Sequence, residues 1–388
     1  MRGRRLAARA EGLEKTLLRR IADLADSSCV DLGLGELAFP TPRAVLDGVS
    51  RGIGRWPLGY SANAGLPELR ARIAASAGPD VDPGRVCVTA GSEEALFLAL
   101  SVLVDPGDEV LVPDPGFPTY ARIVRLWGGL PVFYPLARED GFVLKASRIK
   151  PLLSEKTKAV ILNSPANPTG AVHPRTEIER LAGLLAERGI LPVSDEVYRE
   201  LYYGDRRPES IRTWMPDAIV VDSLSKSCAM TGWRLGWCVV PSALAPAVTA
   251  IHQMAVMCAP VPSQRAAILV FDGAADQERK ENLAELRRRR NAAVKTLRSR
   301  LGLPFIEPEG AFYIFLDVSS WRADLGGSPG YRPRPGRSDE SRDDPRDRFR
   351  SGRGGIPPVV VCRDAGGLRR GRPPDRRLPE PEIISGSV

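Results

Sequence analysis

The chain has 388 residues, with six cysteines and two histidines, and shows no apolar run long enough to span a bilayer. Its formal charge of +8 is not a nucleic-acid footprint, because beyond Trp321 the tail holds 15 Arg against 10 acidic residues and leaves only +3 on the body. His173 and His252 alone give little material for a His-based metal site or a catalytic triad, and no metal is expected.

The length allows one large domain with a smaller one beside it. The cysteines (Cys29, Cys87, Cys228, Cys238, Cys258 and Cys362) form no CxxC pair and read as small buried hydrophobes in a reducing, cytoplasmic compartment. The start, Met1-Arg-Gly-Arg-Arg, has no apolar stretch after it, so a secretory signal is not expected. Glu11, Glu14, Asp23 and Asp26 argue against a transit peptide.

Leu13, Leu17, Leu18, Ile21 and Leu24 recur at helical spacing within residues 6–25, a face expected to pack on the body. Gly33 and Gly35 follow in a loop where backbone approaches something closely. A helix is expected over 44–53. A polar loop from Gly59 then leads into a second helix, with Pro67 in its first turn. Tyr60, in that loop, reads by itself as a packing aromatic.

Arg85-Val-Cys-Val-Thr-Ala-Gly91-Ser92-Glu93 reads as strand, tight turn and helix start. The N–H groups at such a start attract anions, and Ser92 suits an N-cap. Phe117 follows the buried strand 109–113, where a loop aromatic can stack on a flat ring. Further strands are expected over 131–136 and 158–162. Asn163-Ser-Pro-Ala-Asn167-Pro-Thr-Gly170 is a turn-forming string whose two asparagines can address a ligand. Strand 190–195 ends in Asp195, with Tyr198 three residues on. A carboxylate there needs a partner, helix capping being the structural alternative.

The strand 218–222 leads into Ser223-Leu-Ser-Lys226-Ser-Cys-Ala-Met-Thr-Gly-Trp-Arg234, and the strand 237–240 leaves it. A lysine in a small-residue loop between buried strands is desolvated. With Arg234 nearby its pKa falls, which makes the amine a nucleophile toward an aldehyde. Arg234, Ser223 and Ser225 can hold a phosphate. Amine and phosphate clamp together suggest a Schiff base with pyridoxal phosphate; the alternative is a loop lysine beside a core Trp-Arg-Trp segment. Residues 241–301 read as mostly helical, with Arg287–Arg290 a solvated face, and 310–317 as a strand. The strand-helix alternation from Val86 to Val240 predicts a mostly parallel sheet covered on both faces. Every candidate polar group lies at a strand's C-terminal end, where open α/β sheets bind ligands.

From about Gly33 to Asp317 the chain resembles the class I/II aminotransferases, fold-type I pyridoxal-phosphate enzymes. The resemblance rests on Asn-Ser-Pro-Ala-Asn-Pro-Thr-Gly, Asp-Glu-Val-Tyr and Ser-x-Ser-Lys-x-x-Ala-Met-Thr-Gly-Trp-Arg in one order and spacing. It implies a three-layer α/β/α large domain over 46–265. A smaller α+β domain would come from both chain ends, 1–45 and 266–321. It also implies transfer of an amino group from an amino acid to a 2-oxo acid by a ping-pong mechanism. Lys226 would form the Schiff base and then move a proton, Asp195 would pair with the pyridine nitrogen, and Asn167 and Tyr198 would bond the phenolic oxygen. Phe117 would stack on the ring. Ser92, the backbone at Glu93, Ser223 and Arg234 would hold the phosphate. Tyr60 would reach the phosphate of a second subunit, which requires a homodimer. Gly35 and Asn167 would face the substrate. A β-lyase on the same scaffold and an impaired cofactor-binding remnant are the alternatives.

Two departures stand out. Leu37-Ala38 replaces the family's usual Pro-Asp in the first loop, and residues 322–388 lack an arginine in an apolar-Arg-apolar-Ser context to clamp the substrate carboxylate. Arg363, Arg369, Arg370, Arg376 and Arg377 do not sit in such a context. The tail is Arg-, Pro- and Gly-rich, a composition that signals disorder, and only 356–362 reads as a strand. Apolar periodicity stops at Trp321 while length is preserved, as in a coding region read out of frame. A divergent basic arm is the alternative, and resequencing the locus separates the two.

Overall fold

The computed structural model describes residues 7–10, 23, 32–33, 35–300, 302, 304–317 and 359–360. The helix expected over 6–25 lies outside them apart from one turn, Ala8–Ala10, and Asp23. Seven strands form one sheet: β1 Val86–Thr89, β2 Glu109–Asp114, β3 Leu130–Pro135, β4 Thr157–Asn163, β5 Leu191–Asp195, β6 Ile219–Ser223 and β7 Gly236–Val239. Their order is β1-β7-β6-β5-β4-β2-β3, and only β7 runs antiparallel to its neighbours. The mostly parallel α/β sheet expected from the strand-helix alternation is therefore what forms.

Alternation along each strand divides the core. Val110, Val112, Ala159, Ile161 and Val221 face one way, against helices Ser92–Ser101, Thr119–Leu126 and Ala245–Val256. Leu111, Val160 and Leu162 face the other way, against helix Arg175–Ala186. At the β1–β7 edge Val86, Val88, Trp237 and Val239 pack under helices Arg43–Gly52, Pro67–Ala77 and Val261–Leu269. A sheet covered on both faces needs nearly continuous apolar strands, as these are. Truncating one such Leu or Ile costs about 2–5 kcal/mol.

The register brings the polar strand ends together. Asn163 pairs with Asp195, Asp195 with Val221, and both Ser223 and Thr89 with Gly236. They share the edge where the parallel strands finish.

Beyond the sheet runs a 25-residue helix, Asp276–Arg300. The strand expected over 310–317 shortens to β8, Tyr313–Ile314, with single bridges Tyr202↔Gly310 and Phe305↔Leu316. Tyr313 and Ile314 pair with β9, Val359–Val360, inside the stretch the sequence marked as the tail's one strand. The rest of the tail, with its six arginines from Arg363 on, lies outside the described residues.

The run Arg287–Arg290 is not wholly solvated. Arg288 stays outside with Glu285, whereas Arg289 lies over the Phe39 ring at 4.7 Å and Arg290 donates to the Pro308 carbonyl at 2.6 and 3.0 Å. Four consecutive helical residues sweep more than a full face, so two of them must turn inward.

Candidate active site

Lys226 sits in a four-residue helical turn, Leu224–Ser227, directly after β6. The Ser223 side chain caps that turn by accepting from the Ser225 N–H at 3.3 Å. The Lys226 amine hydrogen-bonds the Gly35 carbonyl and lies 5.8 Å from the centroid of Phe312. Burial lowers its pKa to about 8, with Arg234 acting the same way against Glu36 and Asp195. The amine is thus at its titration point near neutrality, as a nucleophile or proton carrier requires.

Asp195 ends β5 fully surrounded. Its Oδ2 accepts from the Tyr120 hydroxyl at 2.7 Å and its Oδ1 from the Val197 N–H at 3.3 Å. Burial nonetheless raises its pKa to about 6, the two hydrogen bonds and Lys226 pulling the other way and Glu196 adding to the rise. A buried carboxylate in this state gains from a cationic partner.

The two asparagines have separate tasks. Asn163 is engaged with the backbone, its Nδ2 donating to the Asp195 carbonyl at 3.0 Å and its Oδ1 accepting from the Asn167 N–H at 2.6 Å. Asn167 points its amide inward, with Nδ2 3.5 Å from the Tyr198 hydroxyl and Oδ1 buried without a hydrogen-bond partner. Such an orphan oxygen in a polar pocket marks a place for a ligand group.

Tyr198 is buried, and its hydroxyl lies 2.6 Å from that of Tyr313. Leu37, the departure in the first loop, packs in the same apolar cluster as Tyr198, Phe312 and Tyr313. Phe117 meets Tyr120 edge-on at 5.4 Å.

At the other end, helix Ser92–Ser101 is capped by Gly91 rather than Ser92, which is its first residue. Gly91 has φ 102°, a conformation glycine adopts freely, and Glu94 accepts from the Ala90 N–H at 2.5 Å, closing the cap without a serine oxygen. The backbone is bare here for lack of room: a Cβ at Gly91 would lie 2.5 Å from Arg234 Nη2, and one at Gly236 2.5 Å from the Ser92 nitrogen. Arg234, itself at φ 51°, donates to the Thr231 and Ala90 carbonyls at 3.1 and 3.3 Å. Glu93 is exposed at the first turn, and Thr231 donates to the Glu36 carboxylate. A cavity of about 540 Å³ opens beside Arg234, lined by Glu36, Thr41, Thr231, Trp233 and Ser263.

Tyr60 is not a packing aromatic: it is 86% exposed. Tyr120, Tyr313 and Phe312 are site neighbours that sequence reasoning passed over. The one signal for the tyrosines is that a buried phenol needs a hydrogen-bond partner. Both histidines are buried and engaged, His252 Nδ1 with Glu94 at 3.0 Å and His173 Nδ1 with the Leu144 N–H at 3.3 Å. Among the described residues Cys87, Cys228, Cys238 and Cys258 are free thiols, and no helix is long and apolar enough to cross a membrane.

Residues 27–325 match the model of the family described as aminotransferase class I and II. A probable aspartate/prephenate aminotransferase of Aquifex aeolicus is 36% identical over 310 residues, 77% of this chain and 78% of that one. The solved aspartate aminotransferase of Thermus thermophilus with maleate superposes with a TM-score of 0.77 at 32% identity, covering 82% of this chain and 86% of that one. The aspartate aminotransferase of Rhizobium meliloti gives 0.78 at 30% identity, covering 81% and 82%.

The chain belongs to the class I and II aminotransferases. It is a transferase of fold type I, and its cofactor is pyridoxal 5'-phosphate. The residues present fit that group: a bare glycine cradle beside Arg234 could take a phosphate, a buried carboxylate could face a pyridine nitrogen, and the Asn167 amide has an oxygen without a partner.

The cradle carries a direct prediction. Gly236→Ala places a Cβ against backbone that has no rotamer to yield. Stability is expected to fall by about 1–3 kcal/mol and pyridoxal phosphate affinity by about tenfold or more, read by thermal melting and by cofactor titration.

Proposed function

We propose that this enzyme moves an amino group between an amino acid and a 2-oxo acid in two half-reactions at one site, with Lys226 as the attachment and proton-carrying residue. The observation that carries the reading is the meeting of Lys226, Asp195, Tyr198 and Asn167 at the finishing edge of the sheet, opposite the glycine cradle.

Pyridoxal phosphate supplies an aldehyde for a Schiff base with an amine and a ring that accepts the electrons of the bond broken at the substrate's Cα. Lys226 Nζ, poised near pH 8, would take the Cα proton and deliver one to the former aldehyde carbon of the cofactor. Asp195 would hold a proton on a pyridine nitrogen by its charge. Tyr198 and Asn167 would address its phenolic oxygen, and Phe117 would stack on its ring. The first-turn N–H groups at Ser92 and Glu93, the Ser223 hydroxyl and Arg234 bind phosphate, the helix dipole assisting. Gly35 and Asn167 border the substrate.

On this reading residues 46–265 form the cofactor-binding domain, and 1–45 with 266–321 the small one. The relatives are named for aspartate, and maleate is a dicarboxylate, which favours an acidic amino donor. The test is to follow the near-visible absorption of the bound cofactor while adding a panel of amino acids that includes aspartate. Loss of the band on adding an amino acid, with recovery on adding a 2-oxo acid, supports transamination. A band abolished in Lys226→Ala yet unmoved by every amino acid supports the impaired remnant.

Tyr60 carries the dimer part of the proposal. Its exposed ring sits in a loop that Asn63 ties to the Met257 carbonyl at 2.9 Å, beside the exposed Met254, Val256 and Met257. That apolar surface suits a second copy. If Tyr60 serves the partner's site, mixing Tyr60→Ala with Lys226→Ala protein restores activity above the sum of the two, because each mixed dimer contains one complete site.

A further inference from the structure

We infer that Tyr313 is a positioning residue that fixes the direction in which Tyr198 offers its proton; the inference rests on the cofactor reading above. Tyr313 stands on β8, is 2% exposed, and reaches Tyr198 with hydroxyls 2.6 Å apart and rings crossed at 78°. A phenol has one proton and two acceptor positions. Burial pushes both phenols upward, so both stay protonated near neutrality and one donates to the other.

The surroundings decide which. Among the described residues the Tyr313 hydroxyl has the Tyr198 oxygen as its hydrogen-bond partner. Its other side is closed by the first loop, where a Cβ at Gly35 would lie 2.8 Å from the Tyr313 oxygen. Tyr198 has a second polar neighbour, Asn167 Nδ2 at 3.5 Å, whose amide oxygen is without a partner. If Tyr198 donated to Tyr313, its proton would turn away from the ring site and the Tyr313 proton would be left without an acceptor. With Tyr313 donating, the Tyr198 proton is free to point where the Asn167 amide also points. Tyr313 thus holds Tyr198 as a donor toward the phenolic oxygen of the cofactor, and Gly35 leaves it the room to do so. The titratable groups around the pair are Asp195 and Tyr120, with Lys226 across Gly35 and, beyond it, Glu36 and Arg234.

A donor aimed at the phenolic oxygen favours its ionised form and so lowers the pKa of the Schiff base at Lys226. The experiment is a spectrophotometric pH titration of the near-visible band in wild type, Tyr313→Phe, Tyr198→Phe and the double variant, each checked for folding by melting. Tyr313→Phe is expected to raise that pKa by about half to one unit, and Tyr198→Phe by more. In the Tyr198→Phe background Tyr313→Phe adds nothing, since the partner through which it acts is gone. Tyr313→Phe is also expected to lower kcat by about three- to tenfold with the amino-acid KM unchanged.

Gly35→Ala is a second route to the same readout. It displaces the Tyr313 hydroxyl and leaves the ring in place, and it should shift the titration in the same direction even if Tyr313→Phe folds poorly. An unmoved titration in a folded Tyr313→Phe, or a shift that persists undiminished in the Tyr198→Phe background, overturns the assignment. A wild-type protein with no near-visible band sensitive to Lys226→Ala overturns the functional reading first, and this inference with it.

Discussion

Lys226→Ala is expected to lower kcat/KM for amino-group transfer by about 10⁴-fold or more while leaving the fold intact. Among the described residues the amine has one hydrogen bond, to the Gly35 carbonyl, and one ring contact, with Phe312. What is lost is a nucleophile whose pKa, about 8, comes mainly from burial. Lys226→Arg separates charge from chemistry, because a guanidinium keeps the positive charge but stays protonated at any usable pH. Both variants should lose activity alike, and both should lose the near-visible band. The pH dependence has a definite sign. The neutral amine is the reactive form and is populated above its pKa, so loading of pyridoxal phosphate into cofactor-free protein accelerates up to about pH 8 and then levels off. Stopped-flow absorbance checks this. A loading rate independent of pH between 6 and 9, or an Arg variant that keeps its activity, would remove Lys226 from the centre of the site.

The parts of this site that the sequence exposes are those that break a pattern. Asp195 ends an apolar strand, Asn163 and Asn167 bracket a turn string, and Lys226 lies among small residues between two buried strands. A polar group at such a point needs a reason, and the shared strand-end location supplies it. Tyr120 and Tyr313 break nothing. Each stands in an apolar stretch, where a tyrosine reads as core, and their partners lie 75 and 115 residues away in the chain. No local spacing links Tyr120 to the Asp195 carboxylate or Tyr313 to the Tyr198 hydroxyl at those separations. Capping failed for a related reason. Ser92 has the right side chain for an N-cap, but Gly91 has the backbone freedom, and conformation decided the position. Tyr60 shows the reverse case, because an exposed aromatic cannot be told from a buried one by its neighbours in sequence.

Asp195→Asn is expected to lower activity by about 10²–10⁴-fold while making the cofactor-free protein no less stable. The carboxyl's pKa rises from 3.8 to about 6 on folding, and burial is the main cause. An acid with a raised pKa binds its proton more tightly in the folded state than in the unfolded one. The fold is therefore unaffected by it below about pH 4 and loses stability as pH climbs from there to about 6. Above that, the whole cost is present, about 3 kcal/mol at about 1.4 kcal/mol per tenfold change in proton affinity. The hydrogen bonds from Tyr120 and Val197 reduce this cost without cancelling it. A protonated pyridine nitrogen opposite the carboxylate would reverse the balance, since the buried charge would then be paired. Thermal melting of cofactor-free wild type and Asp195→Asn should thus coincide near pH 4 and diverge by pH 6 and above, with the variant the more stable by up to about 3 kcal/mol, the cost of the Asp195 charge net of its hydrogen bonds. With pyridoxal phosphate bound, the order should invert above pH 6. If the Asn variant melts lower at every pH without the cofactor, Asp195 belongs to the scaffold through Tyr120 and Val197, and its charge is not held in reserve for a cationic ligand.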